Sequence, residues 1–198
     1  MSSPAADDGD EAVDSFLPGE GWEVGADGVP FRHAARVLLL DASGRILLVR
    51  AHDADDPSRT WWFTVGGGLE PGEGEREAAA REVLEETGLR IAPDDLVGPV
   101  ARRTAVFDFV ARHVRQHEVF FACVLRHEGD EADLDTAGWT AIERSFVDEL
   151  AWWDPEALRD LDVEVFPAEL PDLVAEVVAA LPGEGGSWTG AVRDLTPS

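Results

Sequence analysis

Three glutamates within one stretch of five residues, Glu82, Glu85 and Glu86, are the side chains whose type and spacing point most directly to chemistry. They belong to the run GGGLEPGEGEREAAAREVLEETGL at residues 66–89. On a helix, at about 100° per residue, the three fall within about 100° of one another on one face. Ala79, Ala80, Val83, Leu84 and Thr87 form a separate face about 120° away, suited to packing on a sheet. Arg81 flanks the acids at i,i+4 spacing from both Glu77 and Glu85, so its head is expected to bracket those two. Carboxylates this close repel by a few tenths of a kcal/mol per pair, and a cation among them would remove the repulsion. Oxygen-only donors suit Mg²⁺ or Mn²⁺. The helix alone is equally consistent with a solvated acidic face.

The residues before the helix shift that balance. Gly66, Gly67 and Gly68 read as a loop that lets backbone approach a ligand closely and adopt positive φ. Glu70-Pro71-Gly72-Glu73 reads as a tight turn that returns the chain to the helix start. No Gly-Lys-Ser/Thr follows, so this is not a Walker loop, and the glycine spacing is wrong for a dinucleotide fingerprint.

Gly67, five residues, Glu73, seven residues, then Arg81-Glu82-Val83-Leu84-Glu85-Glu86-Thr87-Gly88-Leu89 resembles a complete Nudix box. Every fixed position of that 23-residue motif is filled, and the resemblance extends over residues 31–181. One departure is Val65, where many members carry Pro before the glycine pair. The resemblance implies an α/β fold, a Nudix-type α/β/α sandwich with a central mixed β-sheet. It implies a hydrolase that cleaves a nucleoside diphosphate linked to another moiety, of the ADP-ribose, nucleotide-sugar or nucleoside triphosphate type. Glu82, Glu85, Glu86 and the Gly67 carbonyl would hold divalent cations, Arg81 would orient the glutamates, and Glu73 would support the loop. The proton acceptor would be Glu82 or a later acid, and Glu118, Glu143, Asp148 and Glu149 all remain open. The proline typical of ADP-ribose members would fall near Thr104, and the tyrosine typical of dinucleoside polyphosphate members has no counterpart in a chain without Tyr. A nucleotide-binding domain of the same fold that did not cleave its ligand would be expected to lose box acids, and this chain keeps them all.

An anionic substrate needs bidentate donors. Arg50 and Arg103 lead that expectation, with Arg102, Arg112 and Arg115 behind them. Trp61, Trp62, Phe107 and Phe109 are either core or a surface on which a base stacks. His113 and His117 have i,i+4 spacing but sit in a strand context, where that spacing does not converge on a metal.

The 198 residues suffice for one domain with a sizeable core. Acids outnumber bases by 41 to 16, every base is Arg, and the formal net charge is −25. That balance argues against a nucleic-acid or anionic-membrane surface and for a small-molecule nucleotide substrate. Residues 1–30 carry eight acids and no base, 31–126 carry fifteen acids and thirteen arginines, and 127–198 carry eighteen acids and three arginines. An anionic ligand is therefore expected in the middle third. One Cys excludes an intrachain disulfide, and Cys123 reads as a buried strand thiol. Residues 1–23 lack the charge and apolar core of a leader, and no apolar run reaches the length of a membrane span, which leaves a cytoplasmic expectation. A homodimer stays open.

The elements that must position the glutamates follow from pattern. Residues 35–40 and 46–50 read as strands of a hairpin around Asp41-Ala42-Ser43-Gly44, and 61–65 as a third strand. Residues 75–87 read as a helix stopped by Gly88. Residues 97–109 and 114–126 read as two long strands with their turn at 111–113, and 155–160 and 171–181 as helices. An acidic arm over 1–22, a hydrolase domain over 23–182 and a tail over 183–198 complete the expectation, with Trp188 the hint that the tail docks back.

Overall fold

The computed structural model describes residues 21–53, 56–109, 112–125, 134–140, 143–181 and 188–196, with the backbone alone for Phe109 and Glu143. The chain order is β1 (Glu23–Val24), β2 (Pro30–Leu40), β3 (Ile46–His52), β4 (Thr60–Gly68), α1 (Glu75–Thr87), β5 (Val97–Phe109), β6 (Arg112–Val124), β7 (Val147–Trp153), β8 (Glu164–Phe166), α2 (Leu170–Ala180) and β9 (Arg193–Asp194). One sheet runs β7-β3-β4-β2-β6-β5-β9, with β1 added to β2 and β8 to β4. The pairs β2–β6, β4–β8 and β5–β9 are parallel and the others antiparallel, so the sheet is mixed.

Strand alternation builds the layers. Leu38 and Leu40 of β2 face one side with Leu48, Trp62, Phe120 and Ala122, where α2 covers them with Leu170, Leu173, Val174 and Val177. Val37 and Leu39 face the other side with Leu47, Val49, Val65 and Phe121, where α1 covers them with Ala78, Ala79 and Val83. Two cores on opposite faces of one sheet follow directly from the period of two. The result is the α/β/α sandwich with a mixed sheet.

The turn at Asp41–Gly44 forms because Asp41 is a side-chain hub. Its carboxylate accepts from the Ser43 N–H and O–H and from the Arg45 N–H, and Gly44 takes φ 88°. The expected hairpin pairing does not extend: β2 meets β3 only at Leu40 and Ile46, and β4 lies between them in the sheet. The helix at 75–87 ends as expected, with Gly88 at φ 75° donating to the Leu84 carbonyl. Cys123 is buried.

Several expectations need correction. Gly66–Gly68 is the end of strand β4 rather than a loop, because the three glycines pair with Ala34, Ala35 and Arg36 of β2. The chain leaves the sheet only at Leu69, whose N–H still donates to the His33 carbonyl. The expected helix at 155–160 shrinks to a 3₁₀ turn at Ala157–Asp160, which buries Leu158. Strand β7 was missed because VDELAWW has no clean alternation, and it pairs with β3 at the sheet edge. Of the expected turn at 111–113, Arg112 and His113 already belong to β6, while Val110 and Ala111 lie outside the described residues. At the C-terminal end, β9 joins the β5 edge, Leu195 is buried and Trp188 packs on the same core. Among the described residues no helix is long and apolar enough to cross a membrane.

Candidate active site

The site forms where α1 lies across the glycine end of β4. Gly67 has no side chain, and a Cβ placed there would stand 2.6 Å from the Glu82 carboxylate. The absence of that atom is what lets Glu82 lie against the strand. The side chain of Glu82 is only 10% exposed. Burial pushes its carboxyl above the ordinary glutamate value, against the opposing pull of Arg81. Glu86, also buried, accepts a hydrogen bond from the Gly66 N–H at 2.8 Å. Glu85, one residue earlier, is exposed. The acidic and packing faces of α1 are therefore not separate. Glu82 and Glu86 are buried beside Ala78, Ala79 and Val83, while Ala80 and Leu84 are only half-buried.

Arg81 gathers the acids. Its guanidinium donates to Glu73 at 2.8 and 2.9 Å, to Glu82 at 2.8 Å, to Glu85 at 3.1 Å and to the Gly68 carbonyl at 2.9 Å. The sequence expectation of a Glu77–Arg81–Glu85 bracket is half right. Glu77 lies over Gly74 instead, because the turn at 70–73 folds Glu73 back onto Arg81 and fills that position. The bonds to Arg81 pull the Glu73 carboxyl below its ordinary value. The Glu73 bonds raise the Arg81 guanidinium in turn. Among the described residues no three acid or histidine side chains already converge on one point as a cation cage. One guanidinium stands among three carboxylates, with Glu86 alongside.

The other candidates disperse. Arg50 sits on β3 opposite Trp62, and its partner is Glu149 of β7 at 2.9 Å, with Asp148 at 4.0 Å. Asp148 also meets His52 at 2.8 Å. Arg103 reaches Glu118 at 3.5 Å and lies over the Phe166 ring. Glu118 is buried and also accepts from Arg36 at 3.0 Å and from Gln116 at 2.8 Å. Nothing is described of the Glu143 side chain. Trp62 is core, edge-on to Trp153. His117 stacks on His33, with ring centroids 5.3 Å apart, while His113 turns to Asp108.

A cavity of about 380 Å³ opens beside this strand end, lined by His33, Leu69, Arg102, Arg103, Thr104 and His117 among others. Burial, with His33 and Arg115 nearby, holds the His117 imidazole below its ordinary value. Arg36, His33 and Gln116 were not singled out from sequence. A signal for Arg36 existed, since it is a lone charge inside the apolar run of β2.

The model of the NUDIX domain matches residues 30–173. The chain belongs to the Nudix family. An RNA pyrophosphohydrolase of Afipia carboxidovorans is 30% identical over 152 residues, 72% of this chain and 87% of the relative. Another of that name, from Erythrobacter litoralis, is 31% identical over 67% of this chain and 82% of the relative. Among solved structures, a NUDIX hydrolase from Nitrosomonas europaea superposes with a TM-score of 0.51 at 19% identity, covering 79% of this chain and 95% of the other. The dihydroneopterin triphosphate pyrophosphohydrolase of E. coli superposes with a TM-score of 0.51 at 22% identity, covering 75% and 96%. These two likenesses concern the fold. The chain is a Nudix hydrolase, an enzyme that cleaves pyrophosphate bonds.

Proposed function

We propose that this Nudix hydrolase uses Mg²⁺ or Mn²⁺ to cleave a nucleoside diphosphate linked to another moiety, by attack of water on phosphorus. The observation that carries the metal reading is the charge count at the strand end. Glu73, Glu82 and Glu85 share one guanidinium, and Glu86 is buried beside them. The donors are all oxygen, which fits a hard divalent cation. The side-chain-free cradle at Gly67 leaves backbone beside Glu82 accessible. Glu82, Glu85, Glu86 and the Gly67 carbonyl would hold the ion, and when bound it would neutralise the diphosphate and acidify water.

The chain's own residues do the rest. Glu82 takes the proton of the attacking water as the new P–O bond forms and the bridging P–O bond breaks. Its burial raises its carboxyl above the ordinary glutamate value, even against the pull of Arg81, which favours proton uptake. Glu118 meets two guanidiniums and the Gln116 amide where Glu82 meets one guanidinium, and Asp148 and Glu149 sit on β7, separated from β4 by β3, so Glu82 is the favoured acceptor. Arg81 fixes Glu73, Glu82 and Glu85 in place. The part of the substrate beyond the diphosphate enters the cavity, where Arg103 and the imidazoles of His33 and His117 are available to an anion or a ring. Arg50, paired on β7, remains a contact for a substrate that extends across β3.

The relatives named for RNA bring a 5′-triphosphate RNA end into the substrate range. A net charge of −25 disfavours a long RNA track, but a 5′ terminus needs only the site itself. The decisive experiment incubates the full chain with Mg²⁺ or Mn²⁺ and ADP-ribose, a nucleotide sugar, a nucleoside triphosphate or a 5′-triphosphate oligonucleotide. Release of nucleoside monophosphate or phosphate from one of them, abolished by a chelator, is expected. Turnover that survives chelation would overturn the metal reading.

A further inference from the structure

Arg36 lies outside the box, on β2, yet it holds the backbone on which the box depends. Its Cα partner across the β2–β4 ladder is Gly66. One Arg36 terminal nitrogen donates to the Gly66 carbonyl and reaches the Thr64 carbonyl at 3.4 Å. Its Nε donates to Glu118 at 3.0 Å, and the guanidinium stands over the Phe63 ring. The side chain is 13% exposed and Glu118 is 6% exposed. Glu118 is in turn fixed by Gln116 at 2.8 Å and Arg103 at 3.5 Å.

The Gly66 residue is thus held at both polar atoms. Its N–H goes to Glu86 of the box helix, and its C=O goes to Arg36 of β2. Gly66 takes φ 127° and is followed by two more glycines, so the torsions of this strand end are soft without external restraint. The restraint has a donor requirement. Only a guanidinium offers a fork in which Nε meets one acceptor while a terminal nitrogen meets another. A lysine ammonium at the same place would serve one of the two.

We propose that Arg36 is a positioning residue of this enzyme: it sets the Gly66–Gly67 backbone and, through the Gly66 N–H, the Glu86 carboxylate for the cation. Glu118 acts behind it by holding the guanidinium in the plane of the strand end. The inference rests on the metal reading above, since it concerns Gly67 and Glu86 as ligands. It adds a residue from another strand that touches neither substrate nor cation.

The test measures Mn²⁺ affinity by electron paramagnetic resonance, with no substrate present, for wild type, Arg36→Lys, Glu118→Gln and Glu86→Gln. Supporting partners of metal ligands typically alter affinity by about 10–100-fold. Arg36→Lys is expected to weaken Mn²⁺ about tenfold and to lower kcat while KM stays within about twofold. Glu118→Gln keeps the Arg36–Gly66 bond and is expected to weaken Mn²⁺ only about two- to threefold, and it carries the test if Arg36→Lys does not fold. Glu86→Gln separates the two levels. If it leaves Mn²⁺ affinity unchanged, the metal reading fails and Arg36 loses its role with it. If it weakens Mn²⁺ while Arg36→Lys and Glu118→Gln do not, the Arg36 proposal alone is overturned. A rise in KM for Arg36→Lys with Mn²⁺ affinity intact would also overturn it, by making Arg36 a substrate contact.

Discussion

The two acid–arginine clusters at the glycine end of β4 have opposite stoichiometry. On the α1 side, one guanidinium is shared by three carboxylates, Glu73, Glu82 and Glu85. Across β2, β6 and β5, one carboxylate, Glu118, is shared by two guanidiniums, Arg36 and Arg103, with Gln116 donating as well. Both clusters have buried members, so neither is a solvated face. The first is short of positive charge, which is the basis for the proposal that it takes up a cation. The second carries an excess of positive charge, and its Arg103 lines the cavity where an anion would be met. The contrast teaches that an acidic helix face becomes informative only when the charges that meet it in space have been counted.

The largest expected effect lies in the deficient cluster. Glu86→Gln keeps the shape and removes one ligand charge, so turnover of a confirmed substrate should fall by at least about 10²-fold. Folding should be retained, because the Gly66 N–H still meets an amide oxygen. Near-normal turnover would mean that the excess of acid is not a metal site and that the comparison above carries no chemistry.

Arg81→Lys comes next. Arg81 donates to three carboxylates and to the Gly68 carbonyl, which no ammonium matches. A fall in kcat of about tenfold is expected, with KM within a few-fold and partial recovery at high Mg²⁺. A large rise in KM with kcat unchanged would show that the guanidinium leaves the carboxylates to bind substrate.

These two predictions also mark how far the sequence could be read. The box acids, the helix bounds at 75–87 and the Gly88 stop were all legible, because each depends on spacing within a single element. The Glu73–Arg81 pair was not, since it depends on how the turn at 70–73 folds back. The Glu118 cluster was invisible for a stronger reason. It unites residues 36, 103, 116 and 118 through strand pairing, and no one-dimensional spacing encodes a sheet register. Arg103 was expected as a substrate contact from its charge alone, and its ion pair with Glu118 appears only once β5 lies against β6.

Glu118→Gln probes the second cluster and should act on stability more than on turnover. Replacing the carboxylate by an amide leaves two largely buried guanidiniums with a weaker acceptor, a cost of about 1–3 kcal/mol in denaturant unfolding. Turnover should fall only about threefold, in step with the modest loss of metal affinity. A drop of about 10²-fold with Mn²⁺ affinity intact would instead make Glu118 the proton acceptor and would move the chemistry to the other cluster.

The smallest effect on turnover, and the control for both clusters, is at Asp41. Here one buried carboxylate meets one exposed guanidinium, Arg45, in the turn between β2 and β3. Burial by itself pushes the Asp41 carboxyl up, but the bonds from Ser43 and Arg45 outweigh it, and the carboxyl sits below the ordinary aspartate range. A folded-state value below the unfolded one gives stability that is present above the unfolded value, about 3.9, and is lost as the pH falls through the folded value. Asp41→Asn keeps an acceptor but loses the charge, so it should cost about 1–2 kcal/mol at neutral pH. The gap between wild type and variant should stay flat from about pH 8 to 5 and narrow below about pH 4. Turnover at neutral pH should be unchanged in the folded fraction. A gap that keeps its size at the lowest pH where both variants fold would show that shape alone sustains this turn. The charge arithmetic applied to the two larger clusters would then lose its calibration in the same molecule.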